Sequence, residues 1–542
     1  MSPHRGPQPK RLTQGTRAGT QAPALPSAAW WVLAVILVLG ACRSASPRRV
    51  LVEADGQRRW VTTEAETVAD VLDEIGLTLG ELDRVEPPSY TLLEEGLQVR
   101  VIRGQERLVE EERPLPFERI VRRDANLPNG ETRLIRLGQN GLERVTWRIR
   151  YEDGKEVERE IVSREEVRAP EPEVLVVGTA GGVETVPISG TIAYLAGGNA
   201  WVMRGTNVPR ALTRTGDLDG HVFALSPDGT WLLFTRRPLG GGAGQAGPFN
   251  SLWVVRTDVV NDEPRYLGVD SVLWADWRPC VPLEGRPCLA DIGYSTAERM
   301  PAEPGWKARN DFWLLTLSDQ GEAVAPRRVL EPDMSEWYAW WGREWAWAPD
   351  GRYVAWGSAT AIGFANVETG ELGTLTLFAP YETGAPWVWT PRPAWRPDEQ
   401  WLAAVVHAPP VAGEPPEKSE QFDLWLLPVA VSAPPVRLAT NVGMWALPTW
   451  SPQGMLAYAQ AEDPAGSAMS RYAIIVADAD GSNRRTIFPT DGRPGVDRPL
   501  VAWSPNGQQA LVVWQGDLYL VGLDGTATPL TLSGTITRFD WE

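Results

Sequence analysis

Histidine and cysteine are scarce in this sequence, with three of each among 542 residues. Metal centres and cysteine-based active sites depend on these residue types, so we expect no metal site and no cofactor. The chain also lacks the Gly-x-Ser-x-Gly elbow and the His-Glu-x-x-His helix of two large hydrolase classes. These absences argue against an enzyme, although abundant Asp and Glu leave a pair of catalytic carboxylates open.

Positive charge is in deficit as well. Lys and Arg number 52 against 69 Asp and Glu, which gives a formal net charge of −17. Nucleic acid and anionic lipid headgroups attract proteins with a basic face, so neither is an expected partner.

One apolar run near the N-terminus is too short for a comfortable membrane span. It covers Ala28–Leu39, whereas a helix needs about 20 apolar residues to cross the hydrocarbon core. Basic residues precede this run and small residues follow it, which is the order of a secretory signal peptide.

The run ends at Leu39-Gly40-Ala41-Cys42, which resembles the lipobox of bacterial lipoproteins. The resemblance implies that residues 1–42 contain a lipoprotein signal peptide with its lipobox and that the sulfur of Cys42 carries a lipid. Residues 43–49 then form a short tether. An uncleaved signal anchor is the alternative, and both interpretations place the rest of the chain outside the cytoplasm of a bacterium, at its envelope.

Residues 50–103 have the pattern of a small α+β module. Asp55-Gly56 is a strong two-residue turn signal, and Thr67 is a suitable N-cap. The predicted elements are a hairpin (Val50–Ala54 and Arg59–Thr63), a helix (Thr67–Ile75) and a last strand (Leu97–Ile102). This segment resembles the ubiquitin-like repeat that precedes cell-wall modules in bacterial resuscitation factors, which implies a ubiquitin-like fold.

Residues 104–180 alternate strands with glycine turns. The segment resembles a G-five (G5) domain at Leu127–Gly130, Gly138–Gly141, Asp153-Gly154 and Gly178-Thr179. The resemblance implies a thin strand ribbon that binds cell-wall glycan of the N-acetylglucosamine type, or that associates with other envelope proteins. Trp147 and Tyr151 are candidate rings for stacking on a sugar, and shielding of the thin sheet is the alternative. The segment has no His, so we do not expect the zinc that some G5 repeats use.

One unit recurs through residues 190–542: an apolar strand, then Trp-Ser-Pro-Asp-Gly or a variant, then another apolar strand. The copies are Leu225–Gly229, Trp347–Gly351, Trp395–Asp398, Trp450–Gly454 and Trp503–Gly507, with Trp277–Cys280 as a sixth that carries an insertion. Pro-Asp-Gly favours a tight turn, and a repeat of roughly 50 residues has the size of a four-stranded propeller blade.

This pattern resembles the TolB-like, WD-like repeats of periplasmic β-propellers. Phe539–Glu542 supplies a seventh copy without its turn, and Thr191–Leu195 supplies a strand at the other end. We therefore predict a mainly β chain with a C-terminal seven-bladed propeller over residues 190–542, after the ubiquitin-like and G5 modules. The last blade is expected to combine C-terminal strands with an N-terminal one. Six or eight blades are the alternatives.

The many tryptophans fall into two groups. The repeated ones are expected to pack between neighbouring sheets, because one stands at the same place in each unit. Irregular aromatic residues are predicted to line the mouth of the channel and to bind a sugar or peptide; they are Trp337, Tyr338, Trp340, Trp341, Trp387 and Trp389. Cys280 and Cys288 are expected to form a disulfide in an enlarged hairpin of the second blade, with a free thiol pair or a metal site as the alternatives.

The leading functional hypothesis is an envelope-anchored lipoprotein that acts as a binding scaffold. Its lipid holds the membrane, its G5 module binds cell-wall glycan, and its propeller docks a protein or glycan partner. One alternative is an enzyme acting on an envelope glycan, which requires carboxylates that converge in the channel. The other is a structural subunit of an envelope complex.

Overall fold

The computed structural model describes residues 47–128, 132–180, 183–238, 247–279, 290–301, 303–318 and 320–542. The predicted signal segment, Cys42, Cys280 and Cys288 lie outside these residues. The chain divides into two compact units, one that ends at Ile102 and one that runs from Arg103 to Glu542. Within the described ranges, no helix has the length and apolar character to cross a membrane.

The first unit is a four-stranded sheet with one helix. Its elements are β1 (Arg48–Ala54), β2 (Gln57–Thr63), α1 (Val68–Glu74), β3 (Arg84–Glu86) and β4 (Gln98–Ile102). The strand order is β2-β1-β4-β3, with β1 and β4 parallel. Asp55 and Gly56 join β1 to β2 with positive φ, and Thr67 and Asp70 form a capping box at the start of α1. The predicted hairpin, helix and last strand are thus confirmed.

Residues 104–180 form two three-stranded sheets. Their strands are β5 (Gly104–Leu115), β6 (Arg119–Pro128), β7 (Thr132–Arg136), β8 (Gly141–Glu152), β9 (Lys155–Arg168) and β10 (Glu173–Ala180). The sheet orders are β5-β8-β9 and β6-β10-β7, and the pair β6 and β10 is parallel. Side chains alternate along β8, so Val145, Trp147 and Ile149 share one face and form a small buried cluster.

The rest of the chain, residues 187–542, is called the seven-sheet region because its described part forms seven successive sheets. Its strands are β11 (Pro187–Ala196), β12 (Asn199–Ala211), β13 (Leu218–Leu225), β14 (Trp231–Arg236), β15 (Ser251–Arg256), β16 (Arg265–Asp270), β17 (Val272–Trp277), β18 (Ala290–Arg299), β19 (Trp306–Ala308), β20 (Phe312–Leu317), β21 (Ala323–Leu330), β22 (Glu344–Trp347), β23 (Tyr353–Gly357), β24 (Ala361–Asn366), β25 (Leu372–Leu377), β26 (Ala394–Trp395), β27 (Trp401–His407), β28 (Phe422–Pro428), β29 (Val436–Ala439), β30 (Thr449–Trp450), β31 (Leu456–Ala461), β32 (Tyr472–Ala477), β33 (Arg485–Phe488), β34 (Val501–Trp503), β35 (Gln509–Trp514), β36 (Asp517–Gly522), β37 (Ala527–Pro529) and β38 (Ile536–Trp541).

Six sheets take their strands in sequence order, and the seventh joins the two ends of the region. The six are β13 to β16, β17 to β21, β22 to β25, β26 to β29, β30 to β33 and β34 to β37, with β19 paired to β18 beside the main path of the second. The seventh has the order β12-β11-β38, in which Tyr194 stands opposite Phe539 and Ile192 opposite Trp541. It thus contains two N-terminal strands and one C-terminal strand.

The repeated tryptophans join neighbouring sheets. Each of five donates its indole Nε1–H to a backbone carbonyl on the first strand of the preceding sheet, at 3.0–3.4 Å. The pairs are Trp277 with Ala224, Trp347 with Asp276, Trp395 with Ala346, Trp450 with Ala394 and Trp503 with Thr449. Trp541 differs, because it donates to Ser189 of its own sheet at 2.7 Å. A ring that fills the gap and a donor that pairs a buried carbonyl explain why these units keep the tryptophan, whereas the first unit has Leu225 at this position.

Candidate functional site

The first strand of each of the six sheets and β38 of the seventh line a central cavity of about 720 Å³. Because side chains alternate along a strand, positions two residues apart face this central cavity in successive layers. The position before the repeated tryptophan forms one layer, and its seven residues are Ala224, Asp276, Ala346, Ala394, Thr449, Ala502 and Asp540. Two of the seven positions therefore place a carboxyl group in the cavity, and Glu542 adds a third.

Backbone N–H groups hold the carboxyl groups of this acidic layer. Asp276 accepts a hydrogen bond from Trp277 N at 2.8 Å. Asp540 accepts one from Leu225 N at 2.7 Å and one from Trp541 N at 2.9 Å. These bonds fix where the carboxyl groups stand before any ligand arrives.

The acidic groups of the cavity hold their protons unusually tightly. Burial, followed by the charge of Asp540, raises the pKa of Asp276 to about 7. Burial raises the pKa of Asp540 to about 6, although its backbone hydrogen bonds oppose the rise. Burial and then the charges of both aspartates raise the pKa of Glu542 to about 9.

A cationic layer lies two residues further along the same strands. Arg538 precedes Asp540 by two positions and donates Nε–H to the carbonyl of Gly220 at 3.0 Å. Burial, followed by the charge of Arg392, lowers the pKa of Arg538. Arg392 also lines the cavity and lies 3.4 Å from a carboxylate oxygen of Glu344. Two residues of strand correspond to roughly 6.6 Å, which is the spacing between the backbone positions of the basic and acidic layers.

Prolines two residues after the position of the repeated tryptophan line the central cavity beyond the acidic layer. They are Pro227, Pro279, Pro349, Pro397 and Pro452. Proline has no backbone N–H, so this rim offers rigid apolar contact and no main-chain donor from these residues.

The six irregular aromatic residues are not among the residues that line this cavity in the described part of the chain, so their place at the channel mouth stays a prediction. They lie in the segments 331–343 and 378–393, which lead into β22 and β26. Tyr338, Trp340 and Trp387 instead border a small recess together with Arg159 of β9. A neighbouring module therefore covers part of these segments, which the repeat pattern alone did not reveal.

The other three rings of this group have three different surroundings. Trp389 is 2% exposed and donates Nε1–H to Met444 O at 3.0 Å. Trp341 packs against Trp306, with ring centroids 5.4 Å apart. Trp337 keeps 42% of its surface exposed, so it is the member most accessible to a ligand.

Residues 104–180 pack on the seven-sheet region beside these rings. The guanidinium of Arg159 makes two hydrogen bonds of 2.8 Å to Glu156 and lies 4.0 Å from Glu382. Burial alone would lower the pKa of Arg159, but the hydrogen bonds and charge of Glu156 outweigh it and raise that pKa. Arg113 donates to the carbonyl of Gly384 at 2.5 Å. The two modules thus meet through charged groups that are mostly removed from water.

A second contact lies at the fifth and sixth sheets. Arg123 pairs with Asp517 at 2.5 Å, and the carboxylate of Asp517 is buried. Glu173 pairs with Arg471, and β10 adds apolar side chains to the core of these sheets. In the seven-sheet region, the residues of both contacts lie either just before the first strand of a sheet or at the connection between the second and third strands of a sheet. Because successive strands are antiparallel, the contacts lie at the end of the sheets opposite the proline rim.

Trp147 does not offer a ring to a sugar. It is 1% exposed, and the guanidinium carbons of Arg113 and Arg159 lie 5.8 and 5.3 Å from its ring centroid. Its role is therefore packing and cation–π contact, which corrects the glycan-stacking expectation. Tyr151 remains partly exposed, with Arg107 5.5 Å from its ring. Burial raises the pKa of both Tyr151 and Tyr338, and the charge of Glu156 contributes next to each rise, so both rings lie near this carboxylate.

The two described histidines have structural surroundings. His221 packs against Trp306, with ring centroids 5.4 Å apart. His407 is 3% exposed, and its two ring nitrogens lie 2.7 Å from Ala379 O and 2.6 Å from Ser419 O. Across the ranges that the structure covers, no three His, Cys, Asp or Glu side chains are arranged as metal ligands.

Two family models match the N-terminal part of the chain. Residues 50–89 match the G5-linked-Ubiquitin-like domain, and residues 106–180 match the G5 domain. Resuscitation-promoting factor RpfB from Mycolicibacterium smegmatis is 29% identical over 169 residues, which are 30% of this chain and 46% of that protein. The chain therefore spans less than half the length of this relative.

Solved structures resemble larger parts of the chain at low identity. A protein assigned as TolB in Agrobacterium tumefaciens is 19% identical, with 59% of this chain and 96% of that chain covered and a TM-score of 0.34. The periplasmic gluconolactonase of Pseudomonas aeruginosa is 14% identical, with 66% and 95% covered and a TM-score of 0.37. The chain thus combines a G5-linked ubiquitin-like domain and a G5 domain with a larger, mainly β part, a composition that indicates an envelope-associated binding or scaffold protein.

Proposed function

We propose that this protein is an extracytoplasmic binding scaffold of a bacterial envelope and not an enzyme. The G5 match over residues 106–180 is the observation that carries the proposal, because G5 domains are associated with binding to cell-wall glycan. In this proposal residues 1–42 direct export, Cys42 carries the lipid that anchors the chain, and residues 43–49 form the tether.

The seven-sheet region is the docking part of this scaffold, a closed seven-bladed β-propeller. The pairing of β38 with β11 supports closure, because it unites the two ends of the region in one sheet. Closure would leave no free edge between the first and last blades, which protects against edge-to-edge association. Cys280 and Cys288 form a disulfide in the second blade under the same proposal.

The glycan site lies where the G5 domain meets the propeller. Tyr151 and Tyr338 both lie near Glu156 there, and Trp337, whose ring centroid is 6.3 Å from that of Tyr338, keeps 42% of its surface exposed. Aromatic rings of this kind stack on the apolar faces of sugars. Trp147 has no part in this site because its ring is buried.

Sedimentation with insoluble peptidoglycan tests the glycan half of the proposal. The full-length protein in detergent should sediment with the wall, and Trp337→Ala should lose most of that binding. Trp60→Ala is the matched control, because Trp60 is 52% exposed but belongs to the first unit. Equal sedimentation of wild type and Trp337→Ala would remove Trp337 from the site, and no sedimentation of the wild type would reject the glycan assignment.

Metabolic labelling with a fatty acid in a bacterial host tests the anchor. The wild type should take up the label and partition into the detergent phase of Triton X-114, whereas Cys42→Ser should do neither. A label that persists in Cys42→Ser would contradict the lipobox interpretation.

A second candidate function follows from the acidic layer of the central cavity. Asp276, Asp540 and Glu542 converge inside the propeller with pKa values pushed apart, as in sites where one carboxyl group is an acid and another a base. The candidate is hydrolysis of an envelope glycan. Scaffold function is favoured, because a cavity of about 720 Å³ gives a polymer no open cleft along which to lie. The test is incubation with dyed peptidoglycan. If the wild type releases soluble fragments and Asp540→Asn does not, the protein is a glycan hydrolase.

A further inference from the structure

The central cavity contains charges of both signs that lack counter-ions. In the part of the chain that the structure describes, Asp276, Asp540, Glu542 and Arg538 take part in no ion pair within 4.0 Å. Carboxyl groups gathered in a confined cavity attract a cation, and a guanidinium group on the same strands attracts an anion. A ligand with matching charges would relieve both the acidic and the basic layer.

We propose that the central cavity binds a molecule with a carboxylate at one end and an ammonium or guanidinium group at the other, of the class of basic amino acids, free or at the end of a peptide. This inference rests on the proposed docking role of the propeller and names the ligand chemistry of that role. The carboxylate pairs with Arg538 and Arg392, and the cation pairs with Asp276, Asp540 and Glu542.

The spacing of the layers selects the ligand length. The basic and acidic layers are two strand residues apart, which is roughly 6.6 Å. A lysine-like stem of four methylene groups spans about this distance between its carboxylate and its ammonium group. A short α-amino acid without a charged side chain cannot reach both layers.

The acidic layer is preorganised for this task. Leu225 and Trp541 each donate a backbone N–H to a different oxygen of Asp540, so that carboxyl group is held at two points. Trp277 holds one oxygen of Asp276 and leaves the other without a protein donor in the described ranges. A cation therefore meets acceptors that need no rearrangement, which lowers the entropic cost of binding.

Access comes from the proline rim. The G5 domain packs at the opposite end of the sheets, so the described G5 contacts leave the rim end uncovered. The five prolines give the entrance a rigid apolar wall, and the charged groups lie beyond it. A volume of about 720 Å³ lies within the range of small-molecule sites.

Isothermal titration of the full-length protein in detergent with Nα-acetyl-L-lysine is the direct test, because this probe carries only the two required charges. We expect saturable binding by the wild type. Nα-acetyl-L-lysine amide lacks the carboxylate and Nα,Nε-diacetyl-L-lysine lacks the cation, and each should bind at least about tenfold more weakly. A short peptide with C-terminal lysine distinguishes a peptide end from the free amino acid as the source.

Variants then assign the two layers. Asp276→Asn keeps the acceptor for Trp277 N–H and should weaken the probe about tenfold or more, and Arg538→Gln should do the same from the other end. Glu371→Gln is the matched control, because Glu371 is exposed and lies outside the cavity. Arg392→Gln replaces Arg538→Gln if the latter does not fold, as judged by circular dichroism, because Arg392 belongs to the same basic layer.

The proposal is overturned if the wild type fails to bind the probe at millimolar concentration, or if the cavity variants bind it as the control does. Peptidoglycan sedimentation of the same samples separates the two proposals. Sedimentation without probe binding would reject the cavity ligand alone, and probe binding without sedimentation would reject the wall-binding role alone.

Discussion

Replacing Asp276 with Asn tests the electrostatic account of the central cavity through stability alone. The pKa of Asp276 is raised to about 7 in the folded protein, against about 3.9 for an aspartate in an unfolded chain. Between these values the folded state binds the proton more tightly than the unfolded state. The contribution of Asp276 to stability is therefore most favourable at low pH and is lost as the pH rises from about 4 to about 7.

The size of the effect follows from this difference. A rise of about 3 pKa units corresponds to about 4 kcal/mol, which is an upper limit. Asp276 keeps part of its surface exposed, and solvent screening of its charge reduces this energy, so we take about half, or about 2 kcal/mol. With an unfolding entropy of about 2.1 cal/mol/K per residue over Arg103–Glu542, this is a change of about 2 °C in Tm.

Differential scanning calorimetry of wild type, Asp276→Asn and the control Glu371→Gln at pH 5 and pH 8 measures this effect. We expect Asp276→Asn to raise Tm by about 2 °C at pH 8 and by less than about 1 °C at pH 5. The control should match the wild type at both values. A variant less stable than the wild type at pH 8, or equally stabilised at both pH values, would refute the reasoning.

Three further predictions concern packing. Arg123→Ala strands the buried carboxylate of Asp517 and should cost about 3 kcal/mol in urea titration, whereas Arg164→Ala at an exposed pair should cost less than about 1 kcal/mol; equal costs would contradict a buried contact. His407→Leu removes the buried ring whose two nitrogens lie 2.7 and 2.6 Å from Ala379 O and Ser419 O and should cost about 2 kcal/mol, so an unchanged Tm would count against this role. Trp395→Phe removes one indole donor between sheets and should cost about 1 kcal/mol with faster local hydrogen exchange, and unaltered exchange would speak against the link.

Local signals predicted most of the secondary structure. Asp55-Gly56 predicts the first hairpin because few other pairs adopt positive φ at both turn positions, and both residues do so here. Thr67 with Asp70 predicts the start of α1 for an equally local reason. The repeated Trp with Pro-Asp-Gly predicts a strand on each side of the turn, and the structure has strands there in all six complete copies.

The surroundings of the irregular aromatic residues could not be predicted in the same way. Tyr338 and Trp387 depart from the repeat, and a departure indicates only that the segment has some other contact. That contact is with Arg159, which is distant in sequence, so only the packing of the two modules places it. Burial of Trp147 has the same origin, since alternation along β8 does not say which face is covered.

The acidic positions of the central cavity could have been predicted from the sequence. Aligning the units on the repeated tryptophan puts Asp276 and Asp540 at a position that is mostly Ala in the other units, and an unusual side chain at a regular position is a functional signal. The raised pKa values depend on how close the strands come, which no alignment of the units supplies.

Competition in the wall-sedimentation experiment tests the central claim most directly. The full-length protein is mixed with insoluble peptidoglycan and increasing amounts of soluble N-acetylglucosamine oligomers, and the bound fraction is measured. The account predicts that the oligomers release the protein in a dose-dependent way and that Trp337→Ala is already largely unbound without them. Wall binding that persists at saturating oligomer, or a wild type that never binds, would contradict a G5-based glycan scaffold.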